Sequence, residues 1–372
     1  MNFSMEKSYL EVNLSCIKNN IEKIKEIVGI NVTVAPVIKA NAYGLGVEAL
    51  KDIFEEENIK VVFAATIEEA IHLKECGYRQ EIITLNELLP YEAKTVVEYG
   101  IVPGVSDIEV ARKLNEEAKK RGIIQNIHIE VDTGMGRVGK SPEEIVEFAK
   151  EISKLSNICI EGIYTHFSSA DSSREYTNEQ IEKFNIVLEK LEEIGFKFKY
   201  IHSSASAGIL NFENARFNMV RPGIITYGYM PDGSTKNAIG LKPATKLISH
   251  VVYVKEVEKG TAISYSRTYI AEGKRKIATV PLGYADGIRR LLSNKGKVYI
   301  NGKYAPIVGN VCMDNFMIDI TGIDVKVGDT VYIWDNEHVY IEDIAKICGT
   351  INYEILCSIS SRVKRIYIKE RE

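Results

Sequence analysis

The 372 residues include 47 Lys plus Arg and 51 Asp plus Glu, a formal net charge of −4, with 45% hydrophobic residues. That length accommodates a large barrel plus a further domain, and interspersed, nearly balanced charge excludes an electrostatic footprint for nucleic acid or an anionic membrane. The opening MNFSMEKSYLEV lacks a basic-then-apolar leader pattern, and no apolar run nears the roughly 18 residues of a membrane span, so a cytoplasmic chain is expected.

Short β-branched runs at 32–39, 60–65, 81–86, 101–105, 126–132, 159–166, 200–204 and 218–222 read as strands. Most are apolar throughout, as parallel strands covered on both faces should be. Amphipathic stretches at 48–56, 67–76, 107–121, 142–153 and 178–194 lie between them. Ile181, Phe184, Leu188 and Leu191 fall at i, i+3, i+7 and i+10, a single apolar helical stripe. Eight strand-then-helix units predict an α/β fold, a (β/α)8 barrel over residues 1–240. An open doubly wound sheet is the competing architecture. Its glycine-rich phosphate turn belongs at the first βα junction, where this chain has Lys39.

After residue 240 the texture changes. Runs at 247–257, 276–282, 297–300, 305–311, 316–320 and 330–334 read as strands separated by Gly, Asn and Asp turns, and only 341–348 reads as helix. Residues 241–372 are expected to form a mostly-β C-terminal domain. Cys16, Cys76, Cys159, Cys312, Cys348 and Cys357 form no C-x-x-C pair, so neither a disulfide framework nor a metal site is expected.

Barrels of this kind do their chemistry at the C-terminal ends of the strands. Polar residues that look out of place collect there: Lys39, Asn86, Asp132, Arg137, His166, Ser204, Ser206 and Arg221. Each has a bland reading. A strand-end lysine is ordinarily a solvated charge, a lone histidine a hydrogen-bonded structural group, and 132–137 a glycine turn. Their coincidence at one rim weighs against all of these. A lysine ending an apolar strand loses its proton more readily, because desolvation disfavours the ammonium form. Lys39 is therefore a candidate imine-forming nucleophile. The junctions after the seventh and eighth strands are the usual phosphate site. There Ser206, Gly223 and Ile224 offer a hydroxyl and backbone N–H groups. With Arg221 facing a pyridine nitrogen and His166 stacked on the ring, the set describes pyridoxal phosphate.

At these residues the sequence resembles alanine racemases over nearly the whole chain. The motifs are VIKANAYG (37–44), VDTGMGR (131–137), YTHF (164–167), VRPGI (220–224), ISY (263–265), PLGYADG (281–287), VCMD (311–314) and INYE (351–354), in family order. The resemblance implies a pyridoxal-phosphate racemase that interconverts L- and D-alanine with two bases and supplies D-alanine for peptidoglycan precursors. It implies that Lys39 binds the cofactor and is one base. Tyr265 would be the second, contributed across a head-to-tail homodimer. His166 would stack beside the ring and Arg221 contact its nitrogen. Tyr43, Ser206, Gly223, Ile224 and Tyr353 would hold the phosphate. Arg137 and the Met313 N–H would bind the substrate carboxylate, with Tyr284 at the entrance and Asp314 in support. Racemisation removes a proton from one face of Cα and returns it on the other, which two bases of different type do directly.

Some positions depart from the family pattern. Glu130 stands where many members carry a carbamylated lysine that pairs with the motif arginine, so Glu130 is expected to orient Arg137 unaided. Ala205 replaces a frequent Asn, Leu45 a frequent His and Lys364 a frequent Pro. The alternatives are a same-fold racemase for serine or another amino acid, a non-catalytic pyridoxal-phosphate-binding protein, and a decarboxylase of related architecture. The bulk of Tyr353 favours a small substrate. The second domain with Tyr265 and Met313 disfavours the non-catalytic barrel, and Arg221 fits poorly where decarboxylases use an acid.

Overall fold

The computed structural model describes residues 6–233 and 239–369. The chain starts with strand β1 (Ser8–Asn13) and helix α1 (Leu14–Val28). Asn13 caps that helix, its Oδ1 accepting from the N–H groups of Ser15 and Cys16 at 3.0 and 3.2 Å. Leu14, Ile17, Ile21, Ile24 and Val28 form its buried stripe.

Eight parallel strands follow: β2 (Thr33–Val34), β3 (Val61–Ala64), β4 (Glu81–Thr84), β5 (Val102–Val105), β6 (Gln125–Glu130), β7 (Ile158–Tyr164), β8 (Tyr200–Ala205) and β9 (Met219–Arg221). They run in the order β2-β9-β8-β7-β6-β5-β4-β3. A parallel bridge between Val37 and Phe63 brings the two ends together, with Ile38 N–H donating to the Phe63 carbonyl and Phe63 N–H to the Pro36 carbonyl, both at 2.9 Å. The expected (β/α)8 barrel is thus formed. Between its strands lie α2 (Lys39–Tyr43), α3 (Leu50–Glu56), α4 (Ile67–Glu75), α5 (Ala93–Tyr99), α6 (Ile108–Arg121), α7 (Ile145–Ile152), α8 (Arg174–Glu193) and α9 (Ser206–Asn211).

The second domain contains β10 (Thr245–His250), β11 (Tyr253–Val257), β12 (Ala262–Ile263), β13 (Tyr269–Ile270), β14 (Arg275–Val280), β15 (Lys297–Ile300), β16 (Lys303–Val308), β17 (Phe316–Asp319), β18 (Thr330–Trp334) and β19 (Lys364–Ile368). Helices α10 (Ile341–Cys348) and α11 (Asn352–Cys357) precede the last strand. Nine strands form one sheet in the order β11-β14-β17-β16-β15-β18-β10-β1-β19.

Two expectations change here. The expected division at residue 240 groups residues 8–13 with the barrel, yet β1 lies in the second sheet, antiparallel to β10 and parallel to β19. Its apolar Leu10 and Val12 are buried at the junction of both units, so hydrophobicity alone does not reveal which sheet it joins. The run 247–257 is two strands, because Val251 N–H turns aside to the Asp329 carbonyl at 2.9 Å. A single apolar core then extends from Leu10 and the barrel strands to Trp334 and Leu356.

Candidate active site

Ladder pairing of the first barrel strand stops at Val34, so Lys39 opens a turn rather than ending a strand. The turn is left-handed: Ala40, Asn41, Ala42 and Tyr43 have φ of 51°, 54°, 53° and 55°. Such conformations cost L-residues roughly 1–2 kcal/mol each. Side chains hold the turn in place. The Ala40 N–H donates to Glu69 Oε1 at 2.7 Å, and Val47 N–H donates to Asn41 Oδ1 at 2.9 Å. Gly44 ends the turn at φ 86°, and a Cβ there would lie 2.6 Å from the Leu356 carbonyl oxygen of α11. Only glycine lets the second domain approach so closely.

The Lys39 side chain is thereby delivered into a cavity of about 620 Å³ that it shares with Tyr43, His166, Ser206, Arg221, Gly223 and Tyr353. Burial lowers the lysine's pKa below its ordinary value, and the charges of Arg137 and Arg221 add to that.

Arg221 is fully buried at the end of β9. Its guanidinium donates to the carbonyls of Thr165 and Ser203 at 3.0 Å, to His166 Nδ1 at 3.2 Å, and to His202 Nδ1. Arginine has no acceptor, so its donations fix the tautomers. His202 must carry its proton on Nε2, which donates to His128 Nδ1 at 2.8 Å. His128 then has its own Nε2–H directed at no partner among the described residues. Burial first, and the Arg221 charge second, push all three imidazoles down, His128 to about 3. They are neutral near pH 7. Arg221 itself is lowered by burial to about 10 and remains charged. Sequence reading singled out His166 and missed His128 and His202. The signal was there: both are polar residues at inward positions of apolar strands.

At the other end of the cavity Ser206 opens α9, and its Oγ accepts from the Gly223 N–H at 3.0 Å. A Cβ on Gly223 would sit 2.4 Å from the Tyr43 hydroxyl, filling the space between Tyr43 and Ser206. Ile224 is buried in the turn that follows. Tyr353, from α11, packs its ring 6.0 Å from that of Tyr43. These fittings suit a flat aromatic group carrying a phosphate, with a lysine beside one face.

Glu130 and Tyr164 are register partners on β6 and β7. They project to the same side, and the Glu130 carboxyl meets the Tyr164 hydroxyl. The expected Glu130–Arg137 ion pair is not formed among the described residues: Glu130 is buried, while Arg137 is exposed on the glycine-rich segment. Burial raises the Glu130 carboxyl to about 7, against the opposing influence of Tyr164, Arg221 and Arg137.

The remaining sequence-derived residues lie outside this cavity. Tyr265, Met313 and Tyr284 are 71%, 52% and 46% exposed on the second domain. One side-chain and one backbone hydrogen bond tie these loops down: Asn310 Nδ2 donates to the Tyr265 carbonyl at 2.8 Å, and Ala285 N–H to the Met313 carbonyl at 3.0 Å. Ser264, Ser266 and Arg267 flank Tyr265 with φ of 65°, 60° and 53°. Asp314 pairs with Arg362 at 2.8 Å, and Arg362 also reaches Asp286 at 3.2 Å.

Comparison with known proteins covers both domains. The model for the alanine racemase N-terminal domain matches residues 12–231, and that for the C-terminal domain residues 244–367. The alanine racemase of Halothermothrix orenii is 45% identical over 365 residues, 97% of this chain and 96% of that protein. The chain belongs to the alanine racemase family. The solved alanine racemase of Clostridium difficile 630 superposes with a TM-score of 0.95 at 39% identity, covering 100% of this chain and 98% of that one. The alanine racemase of Bartonella henselae, solved with covalently bound pyridoxal phosphate, has a TM-score of 0.88 at 30% identity and covers 98% of this chain and 100% of that one. As an alanine racemase the chain interconverts L- and D-alanine, and supplying D-alanine for the cell wall is the family's general role. Among the described residues no helix is long and apolar enough to cross a membrane.

Proposed function

We propose that the cavity holds pyridoxal phosphate on Lys39 and that alanine is racemised by two bases, Lys39 and Tyr265. When bound, the cofactor supplies an electron sink for the charge left on Cα after deprotonation. Lys39, with its lowered pKa, exchanges a proton at Nζ with one face of Cα. Tyr265 exchanges a proton at its hydroxyl with the other face. Tyr43, Ser206, Gly223, Ile224 and Tyr353 take the phosphate end. His166 flanks the ring, and the fixed charge of Arg221 disfavours protonation of the pyridine nitrogen. Arg137, exposed and without an ion-pair partner among the described residues, takes the substrate carboxylate together with the Met313 N–H. Tyr284 lines the entrance and Asp314 supports the Met313 loop through Arg362.

The observation that carries this reading is a division of labour. The lysine and the cofactor cradle share one cavity, while Tyr265 and Met313 lie exposed outside it. A head-to-tail homodimer in which each chain lends these loops to the other's cavity joins the two halves. Mixing inactive Lys39→Ala and inactive Tyr265→Phe chains tests it. Partial return of alanine racemisation is expected, since one site of a mixed dimer holds both bases. Full activity in a chain shown to be monomeric at assay concentration overturns it.

A further inference from the structure

Outside the catalytic cavity, helix α4 and the segment before α3 bring together three side chains of metal-ligating type. His72 lies in the last turn of α4 and Cys76 is its C-cap, so the two share a face at i, i+4 spacing. Glu48 approaches from the segment that follows the Lys39 turn. Cys76 Sγ lies 3.6 Å from His72 Nε2, and His72 Nε2 lies 3.6 Å from Glu48 Oε1. The three ligand atoms all fall within 4.8 Å of one another.

The nitrogen–sulfur and nitrogen–oxygen separations match the chemistry of one ion. Zinc takes bonds of about 2.3 Å to sulfur and about 2.0–2.2 Å to nitrogen and oxygen at tetrahedral angles, which puts N and S about 3.6 Å apart and N and O about 3.4 Å apart. Helix spacing brings the thiol to the imidazole, and Glu48 adds a carboxylate from a separate segment, so three donors of zinc-ligating type face one another. We propose that Glu48, His72 and Cys76 form a zinc site, with water from the open face as the fourth ligand.

The donor set, one thiolate, one imidazole and one carboxylate, suits a borderline-soft divalent ion and not magnesium or calcium. Zinc binding displaces the thiol proton to solvent as the Zn–S bond forms, and no oxidation or reduction is involved. The ion would tie α4 to the segment behind the cofactor lysine. The same helix already braces that turn one helical turn earlier, where Glu69 accepts from the N–H groups of Ala40 and Ala65 at 2.7 and 2.8 Å.

Equilibrium dialysis of the full-length enzyme against zinc chloride tests the site. One equivalent is expected in the parent. Cys76→Ser and His72→Ala should each weaken that equivalent by about tenfold or more, because even groups that merely orient a ligand contribute that much. Cys159→Ser, which alters another exposed thiol, should leave it intact. With cobalt(II) in place of zinc, a thiolate-to-metal charge-transfer band should appear in the parent and be missing in Cys76→Ser. All three substitutions fall at partly or fully exposed positions, and each protein's thermal transition reports that it is folded. Equal retention by the parent, Cys76→Ser and His72→Ala overturns the proposal, as does a parent that retains no zinc.

Discussion

The barrel rim and the Tyr265 loop cluster are built on opposite plans. At the rim, Arg221 is fully buried and its donors are aimed at two carbonyls and two neutral imidazoles, so the geometry is fixed within one chain. In the loop cluster, Tyr265 is 71% exposed between residues of positive φ, and the Asn310 side chain holds its carbonyl. Rim residues therefore contribute to folding as well as chemistry. Loop residues, exposed on the single chain, contribute little to its folding.

The largest expected effect breaks the chemistry and spares the fold. Lys39→Ala should abolish D/L-alanine exchange and the visible absorbance of the cofactor, while its thermal unfolding stays at or above that of the cofactor-free parent, since a partly buried ammonium is removed. A variant racemising at the parent's rate sinks the assignment of Lys39. Next, Tyr265→Phe should lower kcat by about 10²–10⁴, the usual contribution of a positioned acid or base. Its stability should stay within about 0.5 kcal/mol, as for exposed substitutions generally. A large loss of stability with little loss of rate would reverse the contrast drawn above.

The smallest effect sharpens the rim side and depends on pH. Burial raises the Glu130 carboxyl from 4.5 to about 7, so the folded state holds its proton more tightly than the unfolded chain. The resulting cost is absent below pH 4.5, grows as pH rises to about 7, and is complete above that. Glu130→Gln keeps an acceptor for Tyr164 and removes the cost. It should be more stable than the parent by up to about 3 kcal/mol at pH 8, with a smaller gain at pH 5. Urea unfolding at both pH values checks this, and an equal offset at the two shows that Glu130 does not titrate in this window.

Much of the barrel was legible because each strand is an apolar run and each helix has a single stripe, as in Ile181, Phe184 and Leu191. Lys39, Ser206 and Arg221 stand out in the sequence as polar groups at strand ends. What escaped was structure set by partners far along the chain. The run 32–39 looks extended throughout, yet ladder pairing stops at Val34, and Glu69 braces the left-handed turn that follows Lys39. Helix α11 is too short to show a period. The histidine chain was hidden because His128 and His202 find each other only when β6, β7 and β8 lie side by side. Glu130 and Arg137 share a segment, but strand register gives the carboxyl to Tyr164 instead. Spacing rules also overlook the Glu48–His72–Cys76 group, whose first member comes from a different segment than the other two.

The position of β1 imposes an order on assembly. Its neighbours in the sheet, β10 and β19, are made only after the whole barrel and at the very end of the chain, respectively. During synthesis from the N-terminus, Leu10 and Val12 wait without their sheet while some 230 further residues emerge, as the separation of 241 positions between Ser8 and Ser249 records. The barrel can close on local pairings in that interval. The second sheet cannot, because its strand order places the first strand between two of the later ones. A chain truncated before 364–368 leaves one side of β1 unpaired, a sticky strand edge open to other chains.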